Sequence, residues 1–210
     1  TADGQHPFGI KVGSTSKAAQ RRFKTVEPVI GTLFLQRQVA NGGTVAIERL
    51  IAPRIECEIA VRMGADLKGP DVTPEAAEAA FGSIMGAFEI VDARTRDWRI
   101  KGVALVADNA INAGFVLGPE RPARELDAAG VSVMFGREGD RTTYGSGASV
   151  MGGPKFVIAW LANWLGQRGR ILKAGTVVLT GSLSEILPAR KGDRFAAEFT
   201  PLGDLAVRFD

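Results

Sequence analysis

The sequence predicts an α+β fold: one large, curled mixed β-sheet with a few helices packed outside it. Three observations predict it. Short apolar runs are separated by many of the chain's 26 glycines, as in a sheet-rich chain with tight turns. Residues 53–63 alternate strictly, with Ile55, Cys57, Ile59, Val61 and Met63 on one face and Glu56, Glu58, Ala60 and Arg62 on the other. Helical signals are confined to three stretches.

In chain order, residues 8–12 read as a strand. Residues 14–23 read as a short helix, with Ser14 or Ser16 as the N-cap. Strands are expected at 29–36 and 44–47, around the turn Ala40-Asn41-Gly42-Gly43. Thr73-Pro74-Glu75 opens a helix, with Thr as cap and Pro in the first turn, expected to run to about Met85. A strand follows at 88–93, then others at 113–117 and 131–135. The last begins a hairpin turning at Arg137-Glu138-Gly139-Asp140. Gly153-Pro154 starts the clearest helix, with Val157, Trp160, Leu161, Trp164 and Leu165 as its apolar stripe and Gly166 and Gly169 at its end. The two tryptophans are read as core. Closing strands are expected at 176–180, 194–199 and 205–209.

At 210 residues the chain fits one domain, 1–210, large enough to bury a core without staples. Hydrophobic residues at 45% and charged residues at 23% exclude a disordered chain. A net charge of +3, with only short basic groups, gives no clustered face for nucleic acid. One cysteine, Cys57, excludes an internal disulfide and a Cys-rich zinc site. One histidine, His6, excludes a two-His metal motif and disfavours a Ser-His-Asp site. The longest apolar stretch, 156–165, is too short to span a bilayer, and no signal-peptide pattern opens the chain. A cytoplasmic protein without nucleic-acid or membrane partners is therefore expected.

The most informative stretch is Ile55-Glu56-Cys57-Glu58-Ile59. A period of two puts both carboxylates on one face of one strand, where they repel and are costly to desolvate. A hard divalent cation such as Mg²⁺ or Mn²⁺ resolves that conflict; an edge strand facing water resolves it equally well. A third acid, Glu89, lies in the apolar run Phe88-Glu89-Ile90-Val91 and needs a partner, either an arginine or a metal. Lys11 sits in Gly9-Ile10-Lys11-Val12-Gly13, where it reads as a group holding a substrate carboxylate or enolate oxygen, or as a lysine on an outer edge. Asp108-Asn109 and Leu179-Thr180-Gly181-Ser182 lie at strand ends, where polar ligand contacts collect and where plain capping also occurs. Asp92 and Arg94 read as a structural ion pair.

The order of these pieces resembles the fumarylacetoacetate hydrolase superfamily, in its 2-keto-4-pentenoate hydratase / 4-oxalocrotonate decarboxylase branch. The likeness is carried by Lys11-Val12-Gly13-Ser14-Thr15-Ser16, by the stretch from Pro53 to Ala60, and by Phe88-Glu89-Ile90-Val91-Asp92-Ala93-Arg94. It continues through Val106-Ala107-Asp108-Asn109-Ala110, Ala113-Gly114-Phe115-Val116-Leu117-Gly118, Leu161-Ala162-Asn163 and Leu179-Thr180-Gly181-Ser182-Leu183. The resemblance implies a rolled β fold, homo-oligomers, Mg²⁺ or Mn²⁺ on Glu56, Glu58 and Glu89, and a catalytic Lys11 at the substrate's oxo-acid end. It implies that Asn109 and Thr180 line the pocket.

The implied activity is that of a lyase of aromatic meta-cleavage catabolism: a hydratase adding water to 2-hydroxypenta-2,4-dienoate or a related 2-oxo acid. The alternatives are 4-oxalocrotonate decarboxylase, an acylpyruvate-type C–C hydrolase, and a non-catalytic subunit that stabilises a pathway enzyme. The segment Val26-Glu27-Pro28-Val29-Ile30 is closer to the decarboxylases, whereas Asp97-Trp98 and Thr180-Gly181-Ser182 are closer to the hydratases. The family's N-terminal helical segment is expected to be absent from this chain.

Overall fold

A computed structural model describes residues 4–210. The chain begins with β1 (Pro7–Gly13), α1 (Lys17–Phe23), β2 (Val29–Phe34), β3 (Gln38–Val39) and β4 (Thr44–Val45). It continues through β5 (Arg54–Met63), α2 (Pro74–Ala79), β6 (Phe81–Val91), α3 (Val103–Ala107), β7 (Asn112–Leu117) and β8 (Arg121–Pro122). The hairpin β9 (Ser132–Arg137) and β10 (Thr142–Ser146) precedes α4 (Pro154–Gly166). The last strands are β11 (Val177–Ser182), β12 (Leu187–Pro188), β13 (Arg194–Thr200) and β14 (Gly203–Phe209).

The rolled mixed sheet is laid out in two hydrogen-bonded parts. One has nine strands, in the order β2-β1-β11-β5-β6-β7-β3, with β12 added on β5 and β8 on β6. The other has five, in the order β10-β9-β13-β14-β4. β1 pairs in parallel with β11 and antiparallel with β2, so the first and last thirds of the chain meet at the same place. The two parts close on each other through phenylalanines. Phe88 meets Phe135 in a tilted pair at 5.6 Å, Phe135 stacks on Phe195 at 6.0 Å, and Phe195 meets Phe209 edge-on at 5.8 Å. All four are fully buried, and burial of each such side chain contributes roughly 1.5–3 kcal/mol.

The alternation over 53–63 forms β5, which pairs with β6 on one side and with β11 and β12 on the other. Its residues 55–61 are buried without a break, so both faces are covered. Cys57, Ile59 and Val61 join the main core, while Ala60 joins a second cluster with Leu33, Met85, Phe115 and Leu179. A central strand covered on both faces excludes the water-facing reading of its glutamates.

Three expectations need correction. The helix opened by Thr73 ends at Ala79 rather than near Met85, because residues 81–91 form one long strand paired with all of β5. A further short helix, α3, lacks any side-chain cap and a capping signal in the sequence. In α4 the buried residues are Val157, Ile158, Ala159, Leu161, Ala162 and Leu165, with Pro154 at the start. Trp160 and Trp164 pack against the core but stay half-buried, and the Arg168 guanidinium lies 3.6 Å over the Trp164 ring. No helix among the described residues is long and apolar enough to cross a membrane.

Candidate metal centre and oxo-acid pocket

Glu56 and Glu89 are direct cross-strand partners on β5 and β6. Glu58 lies two residues further along β5, on the same face. One carboxylate oxygen from each of the three lies within 4.8 Å of the others. Like charges placed opposite each other on a sheet are destabilising. Here they are also nearly out of solvent, with Glu56 8%, Glu58 1% and Glu89 0% exposed.

The sheet holds each carboxylate at one edge and leaves it open at another. β11 is irregular between Leu179 and Ser182, and this break turns the Gly181 N–H onto Glu58 Oε2 at 2.7 Å. Gly181 has φ +108, and a Cβ there would meet Thr15 Oγ1 at 2.5 Å, so glycine is required on both counts. Asn112, where β7 slips register, donates to Glu89 Oε1 at 2.9 Å. Glu89 Oε2 makes no hydrogen bond although it is buried; the Lys11 ammonium lies 3.1 Å from it as an ion pair.

Lys11 is only 4% exposed, which removes the outer-edge reading. Its neighbours across the sheet are Gly31 on β2 and Leu179 on β11. A Cβ on Gly31 would lie 3.0 Å from the lysine stem and 2.6 Å from the Asn109 carbonyl oxygen, so the missing side chain makes the channel for Lys11. Lys11 Nζ donates to the Ala110 carbonyl at 3.0 Å. That carbonyl is aimed by three successive left-handed residues, Asn109, Ala110 and Ile111, at φ 53, 50 and 61. Such backbone costs about 1–2 kcal/mol per residue and persists only where its surroundings over-determine it.

Asn109 is what holds it. Its Oδ1 accepts from Thr32 N at 2.7 Å and its Nδ2 donates to Thr32 O at 2.9 Å. Thr180 is fully buried and donates to the Ile59 carbonyl at 2.9 Å. The polar groups of Asn109 and Thr180 are engaged by backbone, and the cavity wall beside them is formed by Ala110, Gly181 and Ser182. Asn109→Ala should lower stability by about 1–3 kcal/mol through the two orphaned Thr32 groups. Thermal melts check this, and an unchanged Tm would dismiss the clamp. Arg94 departs from the expected pairing. Its carboxylate partner is Asp108 at 3.4 Å, while Asp92 accepts from the N–H groups of Ile51 and Ala52.

Burial, reinforced by the Glu89 charge, pushes the Glu56 carboxyl up to about 7. Burial, then the charges of Glu89 and Glu56, pushes Glu58 well above the usual carboxylate range. Burial pulls Lys11 down, but Glu89, Glu56 and Glu58 outweigh it and the lysine ends above its ordinary value. Cys57 points into the core on the opposite face. Burial and then Glu58 raise its thiol well above the ordinary range, which leaves it unreactive.

The residues present fit a hard divalent cation. The donors are all carboxylate oxygens, one of them buried without a hydrogen bond. With every group ionised, three glutamates and one lysine carry two net negative charges, which one divalent ion cancels. Beside the cluster opens a cavity of about 200 Å³. Lys11 and Glu56 reach it. Ser14, Thr15, Ser182 and Ser184 make a hydroxyl wall, and Phe23, Val29, Leu105, Ile111 and Ile186 make an apolar one. A larger depression of about 610 Å³, on the outer face of the five-stranded sheet, is lined by residues such as Met134, Ala196 and Ala206 and is remote from this chemistry.

The rolled sheet thus sets a buried glutamate triad and a lysine beside a small half-apolar cavity, the arrangement of a candidate metal-dependent enzyme site. The chain belongs to the fumarylacetoacetate (FAA) hydrolase C-terminal family, whose model matches residues 9–210. It is 40% identical over 212 residues to 2-hydroxyhexa-2,4-dienoate hydratase of Comamonas testosteroni, covering 99% of this chain and 80% of that protein. It is 36% identical over 210 residues to 2-keto-4-pentenoate hydratase 1 of Dechloromonas aromatica, with the same coverage of 99% and 80%. Among solved structures, 4-oxalocrotonate decarboxylase from Pseudomonas putida G7, complexed with magnesium and adipate, superposes with a TM-score of 0.95. It is 32% identical, covering all of this chain and 80% of that one. Fumarylpyruvate hydrolase from Pseudomonas aeruginosa, at 18% identity and a TM-score of 0.72, shares the fold.

Proposed function

We propose that the chain is a divalent-cation-dependent hydro-lyase that adds water to a short 2-hydroxy-2,4-dienoate such as 2-hydroxypenta-2,4-dienoate. The observation that carries this reading is the buried triad Glu56, Glu58 and Glu89 with Lys11, set against an apolar cavity wall. The hydratase names of the relatives above support it. Glu56, Glu58 and Glu89 would hold Mg²⁺ or Mn²⁺. Such an ion, when bound, supplies Lewis-acid stabilisation of negative charge developing on the oxo-acid oxygens.

The chain's own groups do the rest. Lys11 donates to Ala110 O and pairs with Glu89 by charge, which leaves N–H donors for an oxygen of the oxo acid. The wall of Phe23, Val29, Leu105, Ile111 and Ile186 receives the hydrocarbon arm and keeps bulk water from it. The family resemblance implies homo-oligomers. The exposed side chains of Val26, Val103 and Val106 beside Trp164 are a surface such assembly would cover.

A second reading, decarboxylation of 4-oxalocrotonate, has its own support. Arg54 lies two residues before Glu56 on the same strand face, with its guanidinium 4.4 Å over Trp98. Burial and the charge of Arg22 both lower its pKa, so the two guanidinium groups lie near each other. Among the described residues neither forms a salt bridge, although the Arg22 charge reaches the Glu56 carboxyl. A dicarboxylate would supply a salt-bridge partner.

The test is incubation of Mg²⁺-loaded protein with each substrate, following dienoate absorbance and CO₂. Consumption of 2-hydroxypenta-2,4-dienoate without CO₂ is expected. CO₂ from 4-oxalocrotonate alone would install the second reading, and silence on both with metal bound would reject both.

A further inference from the structure

We propose that Ser14 is a substrate-binding residue, its hydroxyl donating to the carboxylate of the 2-oxo acid beside Lys11; this rests on the oxo-acid reading above. Ser14 lines the cavity, and its Oγ is buried with no hydrogen-bond partner. The other cavity serines are engaged. Ser16 Oγ accepts from Ala19 N at 3.1 Å, Ser182 Oγ donates to Ser184 O at 3.1 Å, and Ser184 Oγ donates to Glu185 O at 3.5 Å. Ser149 Oγ accepts from Ser146 N at 3.4 Å. A buried hydroxyl left unsatisfied is costly, and a ligand oxygen removes that cost.

The backbone makes the same point. Ser14 has φ 55, in the left-handed region where glycine would be unstrained. The turn is pinned from α1, since Gln20 Nε2 donates to the Ser14 carbonyl at 3.1 Å. A strained serine is thus held where a turn alone would be better served by glycine. Ser14 also follows directly on the lysine. A Cβ on Gly13 would lie 3.1 Å from Lys11 Nζ, so the ammonium occupies the space beside Gly13 and adjoins Ser14 along the chain. Donors therefore gather at this end of the cavity, whereas Glu56 presents only acceptors when ionised. An anionic group of the substrate belongs with the donors.

The experiment compares Ser14→Ala and Ser14→Gly with the wild type, all loaded with Mg²⁺. It measures Kd for the saturated analogue 2-oxopentanoate by calorimetry, KM and kcat for the dienoate, and Tm. Loss of one hydrogen bond to a charged group should raise Kd and KM about tenfold in both variants, with kcat within about twofold. Ser14→Gly should melt higher than Ser14→Ala because it relieves the left-handed backbone. Affinity would then be lost whichever way stability moves, which a purely structural serine does not do. Variants that bind the analogue within twofold of wild type, or affinities that follow Tm, would overturn the assignment. So would a fall in kcat with KM unchanged. A wild-type protein that binds no 2-oxo acid would overturn the oxo-acid reading and this assignment together; wild-type binding with unaffected variants overturns this one alone.

Discussion

Glu58→Gln abolishes Mg²⁺ binding and lowers turnover by about a thousandfold or more, while the fold survives. Loss of several kcal/mol of charge stabilisation corresponds to that factor. The amide keeps the shape of the carboxylate, and its Oε1 still accepts the Gly181 N–H that Glu58 holds at 2.7 Å. β5 remains paired on both sides. The stability change has an unusual sign. In the metal-free wild type, Glu58 is raised well above the usual carboxylate range, first by burial and then by Glu89 and Glu56. The folded state therefore keeps a proton that the unfolded chain loses at an ordinary carboxylate pKa, about 4.3. Stability falls as pH rises from there through the raised folded value. Glutamine does not titrate, so the metal-free variant melts higher than metal-free wild type near pH 8. Mg²⁺ should raise the Tm of the wild type and not of the variant, and its uptake should release protons from Glu56 and Glu58. Melts with EDTA or Mg²⁺ between pH 5 and 8.5 decide the matter. A variant stabilised by Mg²⁺ as strongly as wild type would remove Glu58 from the ligand set.

The glutamate pair was legible because a two-residue period is a local property: Glu56 and Glu58 share a face whatever surrounds them. Glu89 stood out as an acid in an apolar run, but that it stands directly opposite Glu56 depends on strand register. The burial of Lys11 depends on Gly31 and Leu179, one on a strand reached through α1 and the other some 170 residues away in sequence. Local pattern could not choose between an inward and an outward lysine. Asn109 and Thr180 were legible as polar groups at strand ends, but their engagement by Thr32 and Ile59 is again non-local. Asn112, which orients Glu89, carried no signal beyond being polar. The same competition misplaced the end of α2. The helix-forming alanines end at Ala80, and pairing down to Met63↔Phe81 draws residues 81–85 into β6. Ser14 was read only as a cap candidate, and the structure gives that role to Ser16.

Lys11→Met separates catalysis from metal binding, with signs opposite to those of Glu58→Gln. The ammonium ion-pairs with Glu89 at 3.1 Å, and burial alone would lower its pKa. The three glutamate charges hold it protonated. Removing it leaves the three buried carboxyl groups with no cation among them; they hold their protons more firmly, so near pH 8 the metal-free variant should be less stable than wild type. A divalent ion then meets one more uncompensated negative charge, so Mg²⁺ affinity should be equal or tighter. Turnover should nevertheless fall by about a hundredfold to a thousandfold, because the donor to the oxo-acid oxygen is gone. Lys11→Arg should not rescue it. The stem lies 3.0 Å from where a Gly31 Cβ would be, and Nζ lies 3.1 Å from the corresponding point at Gly13, a channel too narrow for a planar guanidinium. Calorimetric Mg²⁺ titration beside single-turnover kinetics checks all three statements. Lost metal binding would make Lys11 a scaffold for the ligands, whereas unchanged turnover with Mg²⁺ bound would take it out of the reaction. Tight metal with stalled chemistry is the result expected of a lysine that faces the substrate across the ion's ligands.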